Sequence, residues 1–417
     1  MGAWPRRWIG RLLAWLGPGV LAGAAATDPT SVGVLAVVGS TTGYSLAWLV
    51  VLMAPMMVTL LVLSARLGMA TRRGLQRLIH ERFGPVWNAV ALVQVLLANV
   101  VTLGADLAGG AAALEILTGV GWRWWVLPFA LAVALFLLYG SYASLYRALR
   151  VVLLVFLSYL GALVLVRPNW GEVLRATFVP TVVLAEPHVA GALALLGSTL
   201  TSYVFYWETI EQEEEPRPPS SARLVEVEAC LGIVFAMLTF WAILVATAAT
   251  LGAEGRAVET AADAAQALVP LAGPLAGVLF AVGLLASAVL SIPVLAGTIA
   301  HVVAEAFAWP EGLSQPLRRE TWPFYGTVLG CLAAGVVLAL FGPSPVTFLF
   351  LAGLVAGLGT PVVLALMVIL ARDDEVMRGR AVRGWIAVVA WLTVVFMGLA
   401  SVAYAGYLAR DVAAALR

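Results

Sequence analysis

Apolar runs of about 20 residues, the length a helix needs to cross a hydrocarbon core, recur along this whole chain with only short polar breaks between them. Eleven such runs fall at 16–38, 45–69, 86–118, 122–140, 150–167, 190–212, 224–251, 271–307, 322–341, 345–371 and 384–409. In lipid a backbone must satisfy its own hydrogen bonds, so runs this long and continuous predict spanning helices. Composition agrees: 62% of the 417 residues are hydrophobic and 11% are charged, outside the balance of a soluble domain. No polar stretch is long enough for a nucleotide-hydrolysing domain outside the membrane. Arg6, Arg7 and Arg11 ahead of an apolar run superficially resemble a secretory leader. Asp28-Pro29 interrupts that run and no small-residue cleavage pattern follows, so it reads as a retained first helix.

Every basic residue other than histidine is arginine, and the arginines are unevenly placed. With the N-terminus inside, residues 6, 7, 11, 66, 72, 73, 77, 82, 147, 150, 217, 223, 318, 319, 372, 378, 380 and 383 fall on the cytoplasmic side. Only Arg123, Arg167, Arg175, Arg256, Arg410 and Arg417 fall opposite. The positive-inside rule then predicts a prokaryotic inner-membrane protein with its N-terminus in the cytoplasm and its C-terminus outside, which requires an odd number of spans. A net charge of +1 gives no reason to expect a nucleic-acid partner. The expected partners are the lipid bilayer and a transported ion, and the expected state is a monomer.

Two runs contain helix-breaking polar residues at mid-depth, where lipid would not tolerate them unless protein or a water-lined cavity satisfies the backbone. In GPGVLAGAAATDPTSVGVLAVVG, residues 17–39, Asp28-Pro29-Thr30-Ser31 sits near the middle. In GALALLGSTLTSYVFYWETIEQEEE, residues 191–215, Gly197, Ser198, Thr199, Thr201 and Ser202 separate an apolar half from one carrying Glu208. These are the first and sixth runs. Interrupted first and sixth helices are what two inverted five-helix repeats produce, with an ion held between unwound backbones. Asp28 either binds that ion, as intramembrane acids do by default, or caps the half-helix that follows. The two roles are compatible.

The segment GPGVLAGAAATDPTSVG, the run GYSLAWLVVLMAPMMVTLLVLSARLGMATRRGLQRLIHERFG, GADLAGG at 104–110 and PLAGPLAGVLFAVGLLASAVLSIPVLAGTIAHVVAEAF at 270–307 resemble the Nramp divalent-metal transporters over about residues 15–409. The resemblance is strongest to the magnesium-transporting branch related to them. It implies an all-α, LeuT-like fold of eleven transmembrane helices in a single transmembrane domain covering 1–417. Repeat one lies at about 15–167, repeat two at about 190–371, and an extra helix at about 384–409. It also implies a metal site between helices 1 and 6.

The chain departs from the family's pattern at that site. Ser31 stands where the DPGN motif has asparagine. Thr201, Ser202 and Tyr203 stand at the methionine, proline and histidine of the MPH motif. Gly353 takes the place of a glutamine, and Gly109 that of an acid that follows the retained Asp106. Methionine supplies a soft thioether that favours transition metals. The candidate ligands left are the Asp28 carboxylate, the Ser31 and Thr201 hydroxyls, and carbonyls near Thr27 and Ser198, all hard oxygen donors. Mg2+ prefers such oxygens and keeps several waters, so Mg2+ is the favoured cargo, with Mn2+ also carried. No cofactor is expected beyond this transported ion. Ser202, Tyr203, Asp106, Glu208 and Glu211 are candidates for second-layer or pathway roles.

Loss of the histidine and of the acid at 109 predicts transport without proton coupling, although Asp106 would serve equally as a proton relay or as a hydrogen-bonding strut. The rival readings are a proton-coupled Mn2+/Fe2+ symporter, a small organic solute carrier on the same fold, and a non-transporting sensor. An enzyme is not expected, since no nucleophile has a base at usable spacing. Glu208 and Glu211 share a face, and with Glu213, Glu214 and Glu215 would form an acidic mouth; a solvated helix end explains Glu213 to Glu215 as well. Cys230 and Cys331, and His80, His188 and His301, lack metal-ligand spacing and read as packing or surface residues. Trp122, Trp124 and Trp125 read as interfacial anchors.

Overall fold

In the computed structural model, residues 27–139, 158–161, 163–214, 222–310, 312 and 319–415 are described. These residues are helical with no strand among them. The helices are α1 (Pro29–Thr42), α2 (Ala47–Thr71), α3 (Leu75–Thr118), α4 (Trp122–Tyr139), α5 (Trp170–Phe178), α6 (Glu186–Thr199), α7 (Ser202–Glu214), α8 (Ala222–Thr247), α9 (Ala276–Phe307), α10 (Trp322–Phe341), α11 (Pro345–Arg372) and α12 (Trp385–Ala415). Among the described residues eight stretches are long and apolar enough to cross a membrane, counting α6 and α7 as one, and α4 adds a shorter apolar helix over Trp122–Leu137. Half of the fifth expected span, and residues 16–26 of the first, lie outside the described residues.

Local chemistry explains the irregular places. Gly84 (φ 81°) breaks α3 just before Pro85, a conformation that glycine adopts without strain. Leu75–Phe83 is thereby tilted off the long span, so α3 starts well before the expected residue 86. The buried Gln76 amide ties the kink, donating to the Asn88 carbonyl at 2.9 Å and side chain at 2.7 Å while accepting from Tyr206 Oη at 2.9 Å. The short helix α5, absent from the sequence reading, is capped by Asn169 and exposes Trp170, Leu174 and Phe178 while burying Val173 and Thr177.

Within the bundle α3 is the hub, packing most extensively on α9 and α11. Small residues permit the closest approaches, as expected where helices associate in lipid. Gly197 of α6 lies against the backbone of Gly353 and Gly357 of α11, and a β-carbon at Gly353 would come within 2.9 Å of the Ala194 carbonyl. Gly353 is therefore a packing position with no space for an amide side chain. On α12, Val388, Leu392, Val395, Leu399 and Val402 are exposed along one stripe, the surface a lipid-facing helix presents.

The arginine-rich end is laced by ion pairs. Arg66 meets Glu226 at 2.6 Å, Arg73 meets Glu81 at 2.5 Å, Arg77 meets Glu213 at 3.3 Å, Arg82 meets Asp373 at 2.7 Å, and Arg383 pairs with Asp374. These contacts gather the C-terminal ends of α2, α7 and α11 with the starts of α3, α8 and α12. Arg123, Arg175, Arg256 and Arg410 belong to the other end of the chain's up-and-down course. Cys230 is half-buried and Cys331 buried, both as free thiols. His301 packs edge-on to Phe324 and Trp207.

Candidate metal site between two broken helices

Asp28 stands just ahead of α1 in extended conformation (φ −77°, ψ 165°), and its Oδ1 accepts from the Ser31 backbone N–H at 2.7 Å. Proline at the first helical position needs no N–H partner and has φ set for the helix, so Asp28-Pro29 starts a helix at this depth. The second break lies at Leu200 and Thr201, between the end of α6 and the start of α7. There the chain leaves helical geometry at Leu200 (φ −94°, ψ 41°).

The two breaks touch. Ser31 Oγ donates to the Ser198 carbonyl at 3.2 Å, and the Tyr203 hydroxyl donates to Asp28 Oδ2 at 3.2 Å. Thr27, Asp28, Ser31, Ser198, Thr201, Ser202 and Tyr203 are all buried. Thr201 Oγ1 has no protein partner among the described residues. The C-terminal end of α6, where helix carbonyls lack intrahelical donors, faces the same junction and adds partial negative charge. Asp28 thus caps α1 through Oδ1 while Oδ2 meets Tyr203, and an ionised carboxylate offers about four acceptor sites.

Asp106 lies beside this junction. Its Oδ1 accepts from the Thr30 backbone N–H at 3.1 Å and the Thr30 hydroxyl at 2.7 Å, and its Oδ2 accepts from the Ser291 hydroxyl at 2.7 Å. The Ser287 hydroxyl, one turn along α9 from Ser291, donates to the Thr27 carbonyl. Asp106 is therefore a strut holding α3, α1 and α9 together rather than an isolated acid. Gly109, one turn further on, is tightly packed: a β-carbon there would meet Pro29 Cβ at 3.1 Å.

Among the described residues neither Asp28 nor Asp106 has a cationic partner. A buried carboxylate without counter-charge is expensive, and a cation in the junction would remove that cost. The residues the breaks bring together offer oxygen only, with no sulfur and no imidazole. Among the described residues no group of three or more acidic, histidine or cysteine side chains that could hold a metal stands together, at this junction or elsewhere.

Glu208 and Glu211 lie further along α7, beyond Tyr203. Glu208 accepts from Gln212 Nε2 at 3.3 Å along α7, and Glu213 pairs with Arg77. The side chains of Glu214 and Glu215 lie outside the described residues. Four residues of the site were missed in the sequence. Thr30 stood within the recognised D-P-T-S run. Ser287 and Ser291, four apart in an otherwise apolar stretch, were a readable signal of one polar helix stripe. Asn99, whose side chain accepts from Ser202 Oγ at 3.2 Å, lies seven residues before Asp106 and so on the same face of α3.

Comparison with known proteins places this geometry in context. A family model described as natural resistance-associated macrophage protein-like matches residues 19–405. A divalent metal cation transporter, MntH, of Deinococcus radiodurans is 32% identical, covering 96% of this chain and 91% of the relative. The solved structure of an Eremococcus coleocola manganese transporter, in complex with an aromatic bis-isothiourea compound, superposes with a TM-score of 0.71 at 20% identity, covering 96% of this chain and 87% of that one. Mhp1 in its inward-facing conformation gives 0.58 at 15% identity, covering 94% and 91%. The fold is LeuT-like and all-helical.

Proposed function

The chain belongs to the Nramp family, and from that premise we propose that it carries divalent metal cations into the cytoplasm, Mg2+ in preference and Mn2+ as well, without proton coupling. The observation that carries this reading is Asp28, a buried carboxylate at the meeting of two helix breaks, with no counter-charge and only oxygen donors around it.

Mg2+ dehydrates reluctantly and is commonly held by one or two carboxylates plus waters. Asp28 with the hydroxyls of Ser31 and Thr201 and the Thr27 and Ser198 carbonyls fits that demand. Mn2+ accepts the same oxygens. For uncoupled uptake the membrane potential suffices, since a divalent ion gains about 4–5 kcal/mol across 100 mV. Asp106 spends its acceptors on Thr30 and Ser291 and has no histidine beside it, which favours a strut over a relay. Orientation with the N-terminus inside, in an inner membrane, follows from the arginine distribution. The inverted repeats, 15–167 and 190–371, remain part of this proposal.

Named relatives favour a second reading, a manganese carrier of conventional selectivity. Carboxylate solutes are disfavoured, because Asp28 would repel them. Equilibrium binding of Mg2+ and Mn2+ to purified protein, by calorimetry, tests the site: binding of both that Asp28→Asn removes supports it. Mn2+ binding alone contradicts the Mg2+ preference, and no binding of either ion contradicts the metal site.

A further inference from the structure

Three polar atoms near the second break are buried and have no partner among the described residues: Thr199 Oγ1, Thr201 Oγ1 and Asn99 Nδ2. All three residues are more than nine-tenths buried. One end of the Asn99 amide engages Ser202 Oγ at 3.2 Å, while the other end has no protein partner. Exchanging the amide's oxygen and nitrogen leaves that asymmetry unchanged. Buried polar groups without protein partners are normally satisfied by water or an ion, and one such group alone says little. Here an amide and two hydroxyls border one helix break, Thr199 and Thr201 flanking Leu200 and Asn99 meeting the next residue, Ser202.

Asn99 and Asp106 lie on one face of α3, about 10.5 Å apart along its axis at 1.5 Å per residue. Asp106 supports the α1 side of the junction through Thr30, whereas Asn99 borders the α7 side through Ser202. An amide adds no charge. It is suited to the water molecules around an ion, donating to a lone pair or accepting from an O–H.

We infer that Asn99, with the Thr199 and Thr201 hydroxyls, forms a water-holding wall of the site, hydrogen-bonding waters that the divalent ion keeps as it passes. Resting on the oxygen-donor reading above, this makes Asn99 a determinant of selectivity for partly hydrated ions. An apolar side chain at 99 penalises Mg2+, which releases water reluctantly, more than Mn2+, which accepts direct ligands more readily.

The test is uptake into proteoliposomes by the unaltered protein, Asn99→Leu and the smaller Asn99→Val, for Mg2+ and Mn2+, with hexaamminecobalt(III) as competitor. That complex does not exchange its ammonia ligands and therefore binds only through an intact shell. The expected result is a half-saturation for Mg2+ raised about tenfold, the loss of one good hydrogen bond to the shell, with Mn2+ shifted about twofold or less. Block by the complex is relieved in parallel. An equal rise for both ions with unrelieved block makes Asn99 a packing residue and overturns the inference, as does no change in either. If the unaltered protein takes up Mn2+ and not Mg2+, the cargo reading falls separately. The wall is then judged on block of Mn2+ uptake: block that depends on Asn99 supports it, and block that does not, or its absence, overturns it.

Discussion

The hydroxyl of Tyr203 donates to Asp28 Oδ2 across 3.2 Å, joining the second residue of α7 to the residue that caps α1. The family's histidine position is thereby occupied by a neutral donor already committed to the site's own acid. The cap uses Asp28 Oδ1 and the tyrosine meets Oδ2, and capping is separable by experiment from the role toward a cation proposed above.

Asp28→Asn is the separating variant, because asparagine caps helices about as well as aspartate and carries no charge. Thermal unfolding in detergent is expected to stay close to that of the unaltered protein, while metal uptake falls by more than about a hundredfold, as expected for loss of the buried carboxylate at the meeting of the two breaks. Asp28→Ala is expected to lose uptake and, in addition, about 1 kcal/mol of stability with the cap. Uptake surviving in Asp28→Asn would assign Asp28 to capping alone.

Thr201→Met returns a thioether to the junction. Soft donors favour transition ions over Mg2+, so half-saturation for Mn2+ or Cd2+ is expected to fall while that for Mg2+ rises, each by about tenfold, a change of about 1.4 kcal/mol. Parallel movement of both ions would show that Thr201 lies off the ion's path.

Tyr203→Phe removes the phenolic donor and little volume. Uptake is expected to persist within about threefold, the scale of one modest hydrogen bond, and a luminal pH dye is expected to register no acidification in either protein. Acidification that disappears in Tyr203→Phe would instead make Tyr203 part of a proton path.

Asp106→Leu leaves Thr30 and Ser291 facing an apolar side chain. The buried groups so stranded are expected to cost about 1–3 kcal/mol each, read as a lowered midpoint of thermal unfolding. Asp106→Asn keeps one acceptor oxygen and is expected to be milder and still transport. Full transport with unchanged stability in Asp106→Leu would refute the strut.

Much of this was legible in the chain, for identifiable reasons. Long apolar runs announce spans because lipid leaves the backbone few options, and Asp28-Pro29 announces a helix start because both residues act through local geometry. The break at Thr201 was readable from a cluster of small polar residues. What escaped depended on contacts between distant segments. That Asp106 is held by Thr30 and Ser291 follows from three helices meeting, and no local pattern around residue 106 encodes it. Asn99 looked like an ordinary polar residue in a span until Ser202 was placed beside it. The third run was drawn from residue 86, at the Gly84-Pro85 kink that glycine followed by proline signals, but the helical segment Leu75–Phe83 before it was not read. The acidic run after Glu208 suggested a mouth, but Glu213 is engaged by Arg77, a partner 136 residues away.

The central claim is best tested by flux: the protein in liposomes, an inside-negative potential imposed, Mg2+ and Mn2+ uptake followed with a pH-sensitive dye in the lumen, and Asp28→Asn as control. The account predicts uptake of both ions, driven by the potential, dependent on Asp28 and without acidification. Exclusion of Mg2+, with Mn2+ entering together with protons, would contradict it and make the chain a coupled transition-metal carrier with unusual ligands.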